Sequence, residues 1–341
     1  MDNITAAKEF NGLLTVSPSP HLKHRDTTRT IMITVMVALL PSLIWSIVTF
    51  GWRALTITAV SVFSCVLCEF LFQFIFKRPS TVLDFSAAVT GMLIALNLPV
   101  TIPLWLLPLA AFFAIIVVKQ LFGGIGKNVV NPALAARVFL FSWTNHISGK
   151  AFSAPGSKVD TFRIMLSGEE IDAIATATPL GALKAGSLPE TSIFDMFIGH
   201  IPGCIGEVSA LLLLVGGLIL LLRKVITWHI PVSFIATVYL VTLIFPAGNV
   251  NPFDFALYQI LSGGLFIGAI FMATDYATSP VTGSGRVIFG VGCGLITVFI
   301  RYFGGYPEGV SFAILIMNLL VWYIDRFTKP VKFGGGKYVE K

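Results

Sequence analysis

Long runs of residues without a charged side chain recur along this chain, and they restrict the fold more than any other feature. Residues 31–48 and 310–324, for example, contain no Asp, Glu, Lys or Arg. A hydrocarbon layer about 30 Å thick is crossed by a helix of about 20 such residues. Of the 341 residues, 55% are hydrophobic and only 12% are charged, against about 25% charged in soluble domains. The expectation is an all-α polytopic membrane protein, because in lipid each span must close its own backbone hydrogen bonds.

Apolar runs fall at 31–48, 54–76, 85–98, 104–121 and 129–143, and again at 208–222, 230–245, 255–273, 287–302 and 310–324. Pro, Gly and charged residues punctuate them. About ten transmembrane helices are predicted, in two sets of five separated by one long polar interval. An odd number per set would make the halves inverted repeats, and Asp84-Phe85 and Asp254-Phe255 offer a matching opening for the third and eighth spans. Inverted-repeat membrane folds place ligand sites near the repeat interface.

Lys and Arg accumulate in cytoplasmic loops. With an inside N-terminus, Lys8, Lys23, Arg25, Arg29, Lys77, Arg78, Lys119, Lys127, Arg223, Lys224 and Arg286 face the cytoplasm, while short outer connections hold Arg53 and Arg301. The resulting organisation is a cytoplasmic segment 1–29, a first membrane half 30–143, an extracytoplasmic loop 144–207, a second half 208–325 and a cytoplasmic tail 326–341. The protein is therefore expected in the cytoplasmic membrane, with both termini inside and Thr178 outside. The polar first thirty residues show no cleavable signal peptide. The net charge of +6 and pI of 9.2 follow from this orientation bias and contact with anionic headgroups; no basic patch with interleaved aromatics points to nucleic acid.

Cys65, Cys68, Cys204 and Cys293 show no disulfide or zinc spacing. Cys65 and Cys68 share a helical face, as core residues or as part of a redox centre shared with another chain. Glu69 is an intramembrane carboxylate, which costs about 2.5 to 3.5 kcal/mol on insertion scales and is usually paired or functional, so it is a candidate ion-pathway residue. Asp325, beside Arg326 at the end of the last run, is a second candidate, with an interfacial ion pair as the alternative.

Four motifs stand out in order: SPSPHLK at 17–23, KNVVNPALAARVFLF at 127–141, IDAIATATPL at 171–180 and ATDYATSPVTGSGR at 273–286. With them the chain resembles the D component of the Rnf complex, the ion-translocating ferredoxin:NAD oxidoreductase, over essentially its whole length. It is also similar to the B component of the sodium-pumping NADH:quinone oxidoreductase, which has a longer N-terminal extension.

The resemblance implies that Thr178 carries FMN through a phosphoester, installed by a separate flavin transferase. The family pattern is an aspartate, two residues, then Ser-Gly-Ala-Thr. Asp172, Ala177 and Thr178 match it, whereas Ala175 and Thr176 replace the Ser-Gly pair and make Thr176 a rival acceptor. Pro179 biases Thr178 toward an extended backbone, which would present the hydroxyl.

The resemblance also implies a second, non-covalent flavin, riboflavin for instance, near Asn128 and Asn131. Those amides offer donors and acceptors to a polar heterocycle. The alternative is that both asparagines cap the fifth helix and Arg137 satisfies a carbonyl inside the bundle. The segment 273–286 is either a polar turn or part of the flavin or ion pathway. Expected partners are the other subunits of the complex, including an iron-sulfur subunit that oxidises ferredoxin and a second FMN-bearing subunit. The chain lacks a complete GxGxxG fingerprint with its ribose-binding acid, so nicotinamide chemistry is assigned to another subunit. The competing readings are a cofactor-free channel or transporter of urea-transporter-like fold and a structural scaffold for redox subunits.

Overall fold

The computed structural model describes residues 26–141, 178–189, 191–199, 201–207, 209–248, 250–305 and 308–329. Among these every regular element is helical, as the apolar runs predict. Asp172, Ala177 and Thr176 lie outside the described residues.

Helix α1 (Thr28–Phe50) begins at Thr27, whose hydroxyl accepts from Thr30 N at 3.3 Å, an N-cap that satisfies one free amide. Gly51 alone joins it to α2 (Trp52–Ile75). Then come α3 (Ser86–Leu96), α4 (Leu106–Ala111, continued by a π-helix over Phe112–Gln120) and α5 (Pro132–Leu140). Two short helices, α6 (Pro179–Lys184) and α7 (Ile193–Ile198), precede α8 (Ala210–Leu222) and α9 (His229–Ile244).

The single helix expected over 255–273 is two elements. Helix α10 (Pro252–Leu261) is followed by α11 (Leu265–Ile267, continued by a π-helix over Gly268–Met272), bent by 62°. The cause is Ser262-Gly263-Gly264: Gly263 sits at φ +68, a left-handed conformation that glycine adopts without strain. The last helices are α12 (Gly283–Phe303) and α13 (Val310–Thr328).

Backbone carbonyls freed at chain breaks need donors, and two buried arginines supply them. Arg53 Nε donates to Val100 O at 2.7 Å and Nη2 to Ile102 O at 2.9 Å, fixing the non-helical stretch after α3. Arg301 Nη1 donates to Gln259 O at 2.5 Å and Nη2 to Ser262 O at 3.1 Å, fixing the α10–α11 bend. Charge alone places both in outer connections; in the fold each is 2% exposed. Their burial follows from the carbonyls they serve.

Helices α1, α2, α12 and α13 are each long and apolar enough to cross a membrane, and the bent α10–α11 pair makes a fifth candidate. Shorter apolar helices α3, α4, α8 and α9 pack among them. Helix α2 lies against α3 and α4, α9 against α10 and α12, α1 against α8, and α13 against α5. Small residues allow the closest of these approaches: a Cβ on Gly294 would stand 2.6 Å from Thr237 Cβ. Phe63, Phe74, Leu222, Phe303 and Phe327 remain exposed on the outside of the bundle, an apolar surface of the kind that lipid covers. The chain is thus a polytopic membrane protein. The end where α1 begins is called near below, and the end where it finishes, far.

Candidate functional site

At the near end, α1, α3, α4, α5, α8 and α11 converge on one pocket. Its polar lining includes Ser86, Thr90, Lys119, Asn128, Asn131 and Asp275, beside Phe271 and Tyr276. The two π-helical stretches lead into it, one delivering Lys119 and the other Phe271. Extra-wide turns of this kind often occur at functional sites.

Asn131 caps α5, its Oδ1 accepting from Ala133 N at 3.0 Å and Leu134 N at 3.3 Å. Its Nδ2 donates to Met272 O at 3.1 Å. Asn131 therefore performs the expected capping role and lines the pocket as well. Asn128 caps nothing: its Nδ2 donates to Val130 O at 3.2 Å and reaches Asp275 Oδ2 at 3.5 Å. Burial pushes the Asp275 carboxyl up, against the hydrogen bond from Thr278 Oγ1 at 3.2 Å. Pocket and polar turn are thus one construction, assembled from the segments 127–141 and 273–286.

Glu69 is completely buried. Its Oε1 accepts from Gln120 Nε2 at 2.7 Å, Lys119 Nζ at 2.8 Å and Thr81 Oγ1 at 3.3 Å, while Oε2 has no partner among the described residues. Lys119 also donates to Ser86 Oγ at 2.6 Å, and Ser86 Oγ donates to Asp84 Oδ1 at 2.5 Å. A polar chain therefore links Glu69 to the pocket wall. Lys119, read from sequence as a cytoplasmic-loop charge, is buried because it neutralises Glu69. Asp325 joins neither this chain nor the pocket. Its Oδ1 accepts from Val281 N at 3.0 Å, and its neighbour Arg326 lies over the Trp322 ring at 5.7 Å.

At the far end, Thr178 has the extended backbone predicted from Pro179, with φ −68 and ψ 150, and caps α6. Its Oγ1 accepts from Gly181 N at 3.2 Å and donates to no acceptor among the described residues. Half-buried Thr178 lines a pocket with Pro179, Leu180, Ile201, Pro202, Gly203 and Gly263, and Glu207 and Glu308 line it too.

Those two acids meet Arg137. Arg137 Nη2 donates to Glu207 Oε1 at 3.2 Å and to Glu308 Oε2, and Nη1 donates to Asn97 Oδ1 at 2.8 Å and Ser311 Oγ at 3.3 Å. The arginine satisfies a carboxylate pair, not the carbonyl that sequence reasoning offers it. Burial and the neighbouring Glu308 push the Glu207 carboxyl up to about 8, against the pull of Arg137. Sequence reasoning singles out neither acid. Each lies in a Gly-containing connection directly before an apolar run, GCIGEV and GYPEGV, and a carboxylate in that position is a signal worth testing for burial.

The match to a family model, NQR2, RnfD, RnfE, covers residues 15–334. The chain is 46% identical over 327 residues to the D component of the Na(+)-translocating ferredoxin:NAD(+) oxidoreductase complex of Acetobacterium woodii, covering 94% of this chain and 95% of that one. It is 39% identical over 332 residues to the D component of the proton-translocating ferredoxin:NAD(+) oxidoreductase complex of Clostridium ljungdahlii, covering 94% and 96% of the two chains. To the D component of the ion-translocating oxidoreductase complex of Stutzerimonas stutzeri it is 38% identical over 332 residues, covering 91% and 93%. With near-complete coverage in each case and a family model spanning almost all of its residues, the chain belongs to the NQR2, RnfD, RnfE family.

Proposed function

We propose that this chain is the membrane electron carrier of an ion-translocating ferredoxin:NAD oxidoreductase complex, with FMN esterified to Thr178. The names of its relatives support the complex, and the observation that carries the cofactor reading is the geometry of Thr178. Its hydroxyl is held on an extended backbone in the lining of a pocket, beside small and apolar residues and two acids, and donates to no acceptor among the described residues. Those features fit a phosphoester-linked group that another enzyme must attach. A bound flavin would supply one- and two-electron chemistry, and the protein supplies position and electrostatics.

The near-end pocket fits a second, non-covalent flavin. Asn128 and Asn131 offer amide groups, Lys119 a cation and Phe271 an aromatic wall to a planar heterocycle. The chain's own task there is to orient the ring and to keep water out. Electrons would arrive from an iron-sulfur subunit that oxidises ferredoxin and continue to a second FMN-bearing subunit and NAD, with a flavin transferase modifying Thr178.

The near end is assigned to the cytoplasm and Thr178 to the outside, following the Lys and Arg bias. Ten spans are assigned, in two inverted halves. Supporting this, α2 packs on α3 and α4 much as α9 packs on α10 and α12, while α1 meets α8 and α5 meets α13 across the halves.

The test is a denaturing gel of the chain co-produced with a flavin transferase. A fluorescent band under ultraviolet light is expected, lost in Thr178→Ala and kept in Thr176→Ala. A dark wild-type band would reject covalent flavin. Glu69→Ala is expected to slow ion-coupled turnover with flavin content intact, and unchanged ion transport would remove Glu69 from the pathway.

A further inference from the structure

We infer that Glu207 and Glu308 share a single proton and form an exchangeable proton site beneath Thr178. The two acids converge on one nitrogen, Arg137 Nη2. Gly264 shows how close they are: a Cβ built there would lie 2.5 Å from Glu308 Oε1 and 2.7 Å from Glu207 Oε1. Two carboxyl groups thus face each other across the space of one methyl group. Their side chains are only 6% and 14% exposed. Like charges so near, removed from water, do not both ionise against one cation.

Among the described residues no other group makes a second ion pair with the two acids. Asn97 and Ser311 are neutral and bind Arg137 Nη1. The Cys204 sulfur, 3.6 Å from Arg137 Nη2, is kept a neutral thiol by burial, which raises its pKa. Arg301 is the further cation nearby and its charge attracts both acids, but its Nη atoms are bound to Gln259 and Ser262, and it makes no ion pair with either acid among the described residues.

Donor geometry says which acid carries the proton. Glu308 accepts from Gly264 N at 3.1 Å, from Arg137 Nη1 at 3.2 Å and from Nη2, whereas Glu207 accepts from Arg137 Nη2 and from the weak thiol donor of Cys204. Hydrogen bonds to the charged form favour that form, so Glu308 is the carboxylate and Glu207 the acid. Arg137 Nε, buried and without a partner, retains a donor for a water that relays the proton. Both acids line the Thr178 pocket, which is the route to water at the far end.

On the reading that Thr178 carries a flavin, this pair lies beneath a group whose charge changes. When one electron arrives, the pair takes a second proton from far-end water, and it returns that proton when the electron leaves. Charge is balanced in both steps.

The experiment is infrared spectroscopy of the purified complex between pH 6 and 10, in H2O and D2O. At pH 6 to 7 a protonated-carboxyl stretch that shifts in D2O is expected, fading as pH rises. It should vanish in Glu207→Gln and equally in Glu308→Gln, because either variant leaves a single carboxylate facing the Arg137 guanidinium. A wild-type spectrum indistinguishable from Glu207→Gln would overturn the inference, since both acids would then be ionised. Thr178→Ala should keep the band even when its gel is dark, because Arg137 and the two acids set the proton. Loss of the band there would overturn the self-contained site, whereas a dark wild-type gel with the band intact would reject only the flavin.

Discussion

The near-end and far-end clusters both bury ionised side chains in an apolar bundle, yet they balance charge differently. At the near end one ammonium meets one carboxylate: Lys119 lies 2.8 Å from Glu69, and neutral amides and hydroxyls complete the shell. At the far end one guanidinium serves two carboxylates. The first arrangement is closed in charge and positions the pocket wall through Ser86. The second leaves the two acids to share one ion-pair partner, so the pair has a proton to give or take. Burial alone therefore does not identify a carboxyl group that holds an exchangeable proton; the ratio of acids to cations paired with it does.

The contrast is tested first by removing the cations. Arg137→Ala strips the ion-pair partner from the Glu308 carboxylate and a hydrogen-bond donor from the neighbouring Glu207 at once. The expected cost is in the upper part of the ~3–5 kcal/mol typical of breaking a buried pair, read as loss of assembled complex or a large fall in thermal midpoint. Lys119→Met exposes one acid that Gln120 and Thr81 still serve and that can accept a proton, so a smaller cost of about 1–3 kcal/mol is expected. Adding Glu69→Gln to Lys119→Met should recover most of it, since the orphaned charge is gone. Equal losses for the two single variants would erase the distinction between the clusters.

The contrast is sharpened by Thr178, where cap and attachment point coincide. Thr178→Val removes the α6 cap, for about 1 kcal/mol, together with gel fluorescence, whereas Thr178→Ser keeps the cap. Fluorescence retained in Thr178→Val would move the attachment elsewhere.

The apolar helices are largely legible in the sequence because burial among other helices and lipid writes itself as uninterrupted apolar residues. The α3 boundaries fall within two residues of the 85–98 expectation. The 255–273 run hides its bend because Ser262-Gly263-Gly264 carries no charge to interrupt it, and only the φ +68 of Gly263 reveals the break. Charge reading errs for a related reason. Arg53, Lys119 and Arg301 look like loop cations when counted along the chain, but broken helices and a buried acid draw them inside. Pocket residues Asn128 and Asn131 are visible as a motif, and the backbone of Thr178 is legible from Pro179. Glu207 and Glu308 are not, since their meeting at Arg137 joins segments 101 residues apart and leaves no local pattern.

The smallest expected effect is a pH slope that belongs to the far end alone. The Glu207 carboxyl stands near 8 in the folded protein against an ordinary 4.5. Below the ordinary value the group is protonated folded or unfolded, and its contribution is fully present. Between the two values the folded state binds the extra proton, so stability falls as pH rises, and above about 8 the contribution is gone. The thermal midpoint of the complex should therefore decline from pH 6 toward 8 and then flatten, with the window above neutrality sampling only the tail of the shift. Glu207→Gln should remove that component of the slope, whereas Glu69→Gln, at a cluster already closed in charge, should leave it in place. If both variants flatten the curve equally, the proton is not confined to the far end, and the two clusters act on stability as one.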